Sequence, residues 1–177
     1  MKQWGVALGA GGILGFAHIG VLEALEARGL RPGFIAGTSA GAIVAGLWAS
    51  GLKLSSIKLQ MESLVLDEPV RILQAEAQLA GQDGSAMALQ GLLDTGWIEL
   101  ILSRLTGNKM ISDVELPLSI VSCDLHTGDI VVFTNHLPGT RVLPGTGPEP
   151  CPGIKRRYIT KVPLATAIMA SSALPGV

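Results

Sequence analysis

The first fifty residues twice repeat one arrangement of apolar positions: a short unbroken run, then a longer stretch with apolar side chains three or four apart. Residues 4–8 are such a run and predict a buried strand. Phe16, Ile19, Leu22 and Leu25 follow at near-helical spacing and predict a helix over residues 15–28. Gly29 stands where a C-cap is wanted, and Pro32 prevents continuation. The second cycle begins with Phe34, Ile35 and Ala36 and continues in an Ala-rich, helix-compatible stretch over residues 40–50, ended by Gly51. Two strand–helix units in succession predict an α/β chain with parallel strands.

Beyond the second unit, residues 54–66 place Leu54, Ile57, Leu59, Met61, Leu64 and Val65 among polar neighbours, as an amphipathic helix does. Asp67, Glu68 and Pro69 close it. Residues 70–88 have weak periodicity, and residues 89–105 read as a further helical region broken near 94–96. Two strands are expected at 118–122 and 130–133, around a turn at His126, Thr127 and Gly128. The Pro- and Gly-rich residues 138–153 predict a loop. No internal repeat or change of composition divides the chain, so residues 1–177 are read as one domain.

The candidate chemistry sits at the two strand–helix turns. The first is Gly9-Ala10-Gly11-Gly12-Ile13-Leu14-Gly15, a glycine run between strand end and helix start whose backbone N–H groups are free to bind an anion. The second, Gly37-Thr38-Ser39-Ala40-Gly41, is a G-x-S-x-G sequence at a strand-to-helix turn. There a serine is exposed at a sharp bend, and a Cβ at either flanking glycine would collide across the turn. Together they suggest the nucleophile and oxyanion loop of an acyl-transfer enzyme. A dinucleotide site is the competing reading of the glycine run, but Leu14 occupies a position where that fingerprint wants glycine. No acid stands near residue 33, where a ribose-binding carboxylate belongs.

With both motifs one strand–helix unit apart, the chain resembles the bacterial patatin-like phospholipases. The matching residues are 8–22 (LGAGGILGFAHIGVL), 35–45 (IAGTSAGAIVA), 117–133 (PLSIVSCDLHTGDIVVF) and 167–177 (AIMASSALPGV), in the family's order. The resemblance implies a three-layer α/β/α fold with a mostly parallel central sheet and a nucleophile elbow. It also implies a Ser and Asp dyad that cleaves lipid acyl esters without histidine, cofactor or metal. Ser39 is then the nucleophile, the amides of Ala10, Gly11 and Gly12 form the oxyanion hole, and Gly37 and Gly41 shape the elbow. The helical part after residue 54 resembles the family's variable helical cap, which would shield an acyl chain or rest on a membrane surface; the alternative is a helical layer that covers one sheet face.

Three departures qualify the resemblance. The family's catalytic Asp lies in an Asp-Gly-Gly or Asp-Gly-Ala motif after the segment matched by residues 167–176. The 177 residues contain no such motif beyond that point, so weak or absent hydrolysis is expected of them alone. Asp83-Gly84 precedes the strand pair and is discounted, and Asp124 is expected to order a turn by bonding its own backbone. Leu14 and Met169 stand where relatives generally carry basic residues, which would weaken the hold on an anionic headgroup unless both merely pack.

Composition narrows the alternatives. Hydrophobic residues make up 48% and charged residues 15%, with a net charge of −1, so no basic field exists to recruit nucleic acid. Lys155, Arg156 and Arg157 are a short cluster. Cys123 and Cys151 lack metal-ligand spacing and fit free thiols of a reducing, cytoplasmic compartment. Residues 3–22 and 33–52 are uncharged over the length of a spanning helix, yet their glycines and breakers divide each into strand, turn and helix. His18 is expected to pack in the first helix. His126 and His136 would be the candidates for a Ser, Asp and His triad. A lipid or acyl-ester substrate with peripheral membrane contact is the leading expectation; a non-catalytic lipid-binding module is the alternative, and a nucleotide-binding domain the third.

Overall fold

The computed structural model describes residues 4–62, 96–137 and 154–173. The expectations for residues 63–95 and 138–153, including Asp83-Gly84 and Cys151, lie outside the described residues. Strand β1 (Gly5–Leu8) leads through a 3-10 turn (Gly12–Gly15) into α1 (Phe16–Glu26), and β2 (Phe34–Gly37) leads into α2 (Ala40–Ala49). Residues 54–62 are helical and form α3. Then come α4 (Gly96–Leu105), a short 3-10 turn (Ile111–Asp113), β3 (Leu118–Cys123), β4 (Ile130–Thr134), β5 (Arg156–Ile159) and α5 (Leu164–Ser172).

The five strands form one sheet in the order β1-β2-β3-β4-β5. β1, β2 and β3 run parallel, β3 and β4 pair antiparallel through the expected turn, and β4 and β5 are parallel again. Register decides where the site lies. Leu8 pairs with Gly37, so β1 and β2 end level, and the two glycine motifs leave the same sheet edge side by side.

The expected elements are present where the described residues cover them, with helix ends within two residues of the reading. Gly29 and Gly51 take positive φ angles of 67° and 102°, as their capping positions require. Two elements escaped the sequence reading. β5 includes Arg156 and Arg157 of the short basic cluster, and α5 overlaps the matching residues 167–177, for which the sequence predicts no conformation.

α2 is apolar along its whole length because most of it is enclosed, with only Ile43, Trp48 and Ala49 half-buried. Ala42, Val44, Ala45 and Leu47 have no measurable exposure, and such a helix belongs in a core or a membrane. Here it is a core: α2 lies on β1, β2 and β3, with α1 and α5 against it. A Cβ at Gly46 would come within 2.6 Å of Ile168 Cδ1, so glycine sets the closeness of α2 to α5. The uncharged run that matched a spanning segment in length is thus β2, the elbow and α2. Among the described residues no helix is long and apolar enough to cross a membrane.

Backbone proximity at the elbow yields a stability test. A Cβ on Gly41 would stand 2.2 Å from the Leu8 carbonyl oxygen, a backbone atom that cannot move aside. Gly41→Ala is expected to destabilise the fold by about 3 kcal/mol or more. Gly20, within α1 with nothing within 4 Å of its Cβ position, is the control. Gly20→Ala should stabilise by about 0.5–1 kcal/mol. Thermal and urea unfolding of both variants check this, and equal stability of Gly41→Ala and the unsubstituted protein would refute the close approach.

Candidate active site

The position of the candidate nucleophile is built by backbone geometry. β2 ends at Gly37, α2 begins at Ala40, and Ser39 between them adopts φ 54°, ψ −123°. A non-glycine residue is rarely found there, and such a conformation costs about 1–3 kcal/mol. The bend is closed by glycines on both sides. A Cβ at Gly37 would meet the Gly41 carbonyl oxygen at 2.4 Å. The Ser39 carbonyl accepts from the amides of Ala42 (2.8 Å) and Ile43 (3.1 Å), which starts the helix.

A serine at a helix N-cap ordinarily turns its hydroxyl to the amides of the first turn. Ser39 does not: it makes no side-chain cap bond, and among the described residues its hydroxyl has no hydrogen-bond partner. The side chain is half-buried and stands at the N-terminal end of α2, where the helix dipole favours negative charge.

The glycine loop is held against this elbow. The amide of Thr38 donates to the Leu8 carbonyl at 3.0 Å, which extends the β1–β2 pairing to the start of the loop. Gly15 lies on the first residue of α2, its Cβ position 2.4 Å from Ala40 Cβ. His18, half-buried in the first turn of α1, donates from Nε2 to the Gly9 carbonyl at 2.8 Å. It was expected only to pack; it also braces the loop. The amides of Ala10, Gly11 and Gly12 donate to no acceptor among the described residues, and all three residues are exposed.

The C-terminal end of α5 completes the surroundings. Ser171 Oγ accepts from the Ser39 amide at 2.9 Å and donates to the Val121 carbonyl at 2.6 Å. Ser122 Oγ donates to the Ala170 carbonyl at 2.6 Å, which ties the same helix end to β3. Sequence reasoning gave neither Ser122 nor Ser171 a role, although they stand within the matching residues 117–133 and 167–177.

The remaining candidates are placed elsewhere. Asp124 orders the β3–β4 turn as expected: Oδ1 accepts from the amides of His126 (2.9 Å) and Thr127 (3.3 Å), and Oδ2 from Arg157 Nη1 (2.9 Å). The His126 amide, followed by the Thr127 amide and the Arg157 charge, holds this carboxyl below its usual range, against a smaller opposing effect of burial. His126 and His136 are exposed, and neither bonds Ser39. Leu14 is 77% exposed beside the loop, while Met169 packs against the core. Packing therefore accounts for Met169 and not for Leu14. Cys123 is an exposed free thiol, and no cluster of metal-ligating side chains occurs among the described residues.

A mostly parallel α/β sheet with a strained serine at a strand–helix elbow and a glycine loop beside it is the arrangement found in one class of serine hydrolase folds. Comparison with known proteins narrows the class. The family model for patatin-like phospholipase matches residues 6–177, and the chain belongs to that family. An uncharacterized NTE family protein of Mycobacterium bovis is 31% identical over 172 residues, which cover 97% of this chain and 38% of that protein. A Mycobacterium tuberculosis relative of the same description has the same identity and coverage. The Candida glabrata lysophospholipase NTE1 is 47% identical over 53 residues, 30% of this chain and 3% of that protein. The chain thus spans well under half the length of the relatives it matches. Among solved structures, the Pseudomonas aeruginosa ExoU–SpcU complex aligns with 99% of this chain and 37% of its own, at a TM-score of 0.51 and 20% identity. That likeness supports the three-layer α/β/α patatin fold.

The Asp124 geometry carries a pH prediction. A carboxyl whose folded pKa is lowered contributes stability that is fully present above its unfolded value of about 3.9 and lost as pH falls through the folded value. Asp124→Asn should lower the thermal midpoint at pH 7, and the difference from the unsubstituted protein should shrink as pH falls below about 3.9 and through the lower folded value. Melting curves between these pH values test it, and a difference that persists in acid would assign the turn's stability to other groups.

Proposed function

We propose that this chain carries the nucleophile and oxyanion loop of a serine lipid acyl hydrolase, acting on carboxylic esters of phospholipids, lysophospholipids or neutral acylglycerols. The observation that carries the reading is Ser39, held in a strained elbow with its hydroxyl unbonded among the described residues, beside loop amides that are likewise unbonded. Strain of this kind persists where the surroundings enforce it, and functional sites are where it gathers.

In the proposed reaction Ser39 Oγ bonds to the ester carbonyl carbon while its proton passes to a base, and the carbonyl oxygen takes up the negative charge. The amides of Ala10, Gly11 and Gly12 receive that oxyanion. Collapse of the intermediate breaks the bond to the alcohol, which leaves with a proton, and water then attacks the acyl-serine to release the fatty acid. Ser39's own amide is engaged by Ser171, which leaves the oxyanion to the loop. The proposed base is the Asp of the family's Asp-Gly motif, since no carboxylate among the described residues bonds the Ser39 hydroxyl. Desolvation of that Asp would raise its pKa toward usefulness. Leu14 and Ile13, 77% and 63% exposed, give the loop an apolar rim suited to acyl chains and to a peripheral place on a lipid surface. Without the base, the same residues would bind lipid without cleaving it, which is the second reading.

In the protein continued through the proposed Asp-Gly motif, replacement of Ser39 by alanine should abolish fluorophosphonate labelling and p-nitrophenyl ester turnover; turnover that survives in Ser39→Ala would refute the nucleophile. Gly11→Val should cost about 100- to 1,000-fold in rate and leave the fold intact, because the Cβ of residue 11 meets only ordinary contacts of 3.5 Å and longer. Circular dichroism separates the two effects. The 177 residues by themselves should show trace hydrolysis. Robust Ser39-dependent turnover by them would place the base within the chain, with Asp124, His126 and His136 the first residues to replace.

A further inference from the structure

We infer that Ser171 is a positioning residue for the nucleophile: its hydroxyl locks the strained Ser39 backbone to β3 and withdraws the Ser39 amide from the oxyanion site. The inference rests on the assignment of Ser39 as nucleophile and adds a residue to that assignment.

Serine hydroxyls in the last turn of a helix ordinarily bond the carbonyl four residues back. Ser172 does so, donating to Ile168 at 2.9 Å, with the Ser39 carbonyl farther away at 3.4 Å. Ser171, its neighbour, forgoes that bond. Its hydroxyl proton goes to the Val121 carbonyl on β3 at 2.6 Å, and its lone pair receives the Ser39 amide at 2.9 Å, across 132 positions of sequence. One side chain thus bridges the elbow between β2 and α2 to the adjacent strand. α5 is fixed in turn by Ser122, whose hydroxyl donates to the Ala170 carbonyl, and by its buried Leu164, Ala167 and Ile168. The bridge is half-buried, and it acts on the one residue of the elbow whose φ, ψ pair is unfavourable.

The lock has a chemical consequence. A nucleophile's own amide can serve as an oxyanion donor, and here that donor is already occupied. Loss of the Ser171 hydroxyl would free the Ser39 backbone to relax and move Oγ relative to the loop amides. A misplacement of about 1 Å costs about a hundredfold in rate. Binding of the ester, which involves other surfaces, would change little, so the effect falls on the maximal rate.

The test combines amide exchange with labelling of the protein continued through the proposed Asp-Gly motif. The Ser39 amide should be protected from deuterium exchange in the unsubstituted protein, and Ser171→Ala should abolish that protection while amides within α2 and β3 keep theirs. Ser171→Ala should also slow the maximal rate of fluorophosphonate labelling by about 10- to 100-fold, with the half-saturating probe concentration unchanged. Ser171→Thr, which keeps the hydroxyl, should restore both readouts. Should the alanine variant fail to fold, Ser171→Thr and Ser171→Val, alike in shape and different in the hydroxyl, make the same comparison. If Ser39→Ala is labelled as fast as the unsubstituted protein, the nucleophile assignment falls and the positioning role with it. If Ser39→Ala is silent and Ser171→Ala labels at full rate, the positioning role alone is overturned. An unprotected Ser39 amide in the unsubstituted protein overturns the lock whatever the variants do.

Discussion

Contact between two backbones, with no side chain between them, governs the arrangement of this site. The first turn of α2 lies so close to the end of β1 that a Cβ on Gly41 would fall inside the Leu8 carbonyl, and one on Gly37 inside the carbonyl of Gly41. With Leu8 and Gly37 in register, this approach brings the end of one strand–helix turn against the beginning of the other. The catalytic proposal depends on that adjacency. A nucleophile and an oxyanion loop from different units must be held to within a fraction of an ångström, and backbone packing is stiffer than any side-chain contact.

Stiffness at the elbow is maintained at several points against the cost of Ser39's conformation. The Thr38 amide extends the strand pairing, the Ser39 carbonyl opens α2, and Ser171 takes the Ser39 amide. The loop has its own brace in His18. Each tie uses a different element, so the site is assembled from β1, α1, β2, α2, β3 and α5 together. α2 gathers most of them because its small residues admit close neighbours on all sides, Gly15 and Ile168 among them.

The parts of the molecule that were legible in the sequence were those with local causes. Continuous apolar runs marked β1 and β2, glycine caps marked the ends of α1 and α2, and the two glycine motifs marked the site. What escaped had causes far away along the chain. β5 is a short strand with exposed Arg156, Arg157 and Tyr158, and it is a strand because β4 lies alongside, a fact that no local alternation announces. Ser171 reads as an ordinary small residue until a partner 132 positions away appears. His18 had a signal that went unused: helical side chains tilt toward the N-terminus, so a residue in the first turn of α1 reaches back over the loop that precedes it. The elbow's sharp bend was legible from G-x-S-x-G, and the means of holding it was not.

Asp124 shows why a carboxylate near a sheet edge is not thereby a base. Two backbone amides and an arginine favour its ionised form, and its pKa moves down. A base for a serine hydroxyl needs the reverse: an environment that penalises the carboxylate and raises its pKa, since an unperturbed value of about 3.9 lies far below that of the alcohol. The interactions that make Asp124 a good turn residue make it a poor proton acceptor. In the proposed dyad the carboxylate would need fewer donors and less water than the β3–β4 turn provides, and would face the Ser39 hydroxyl, which has no partner among the described residues.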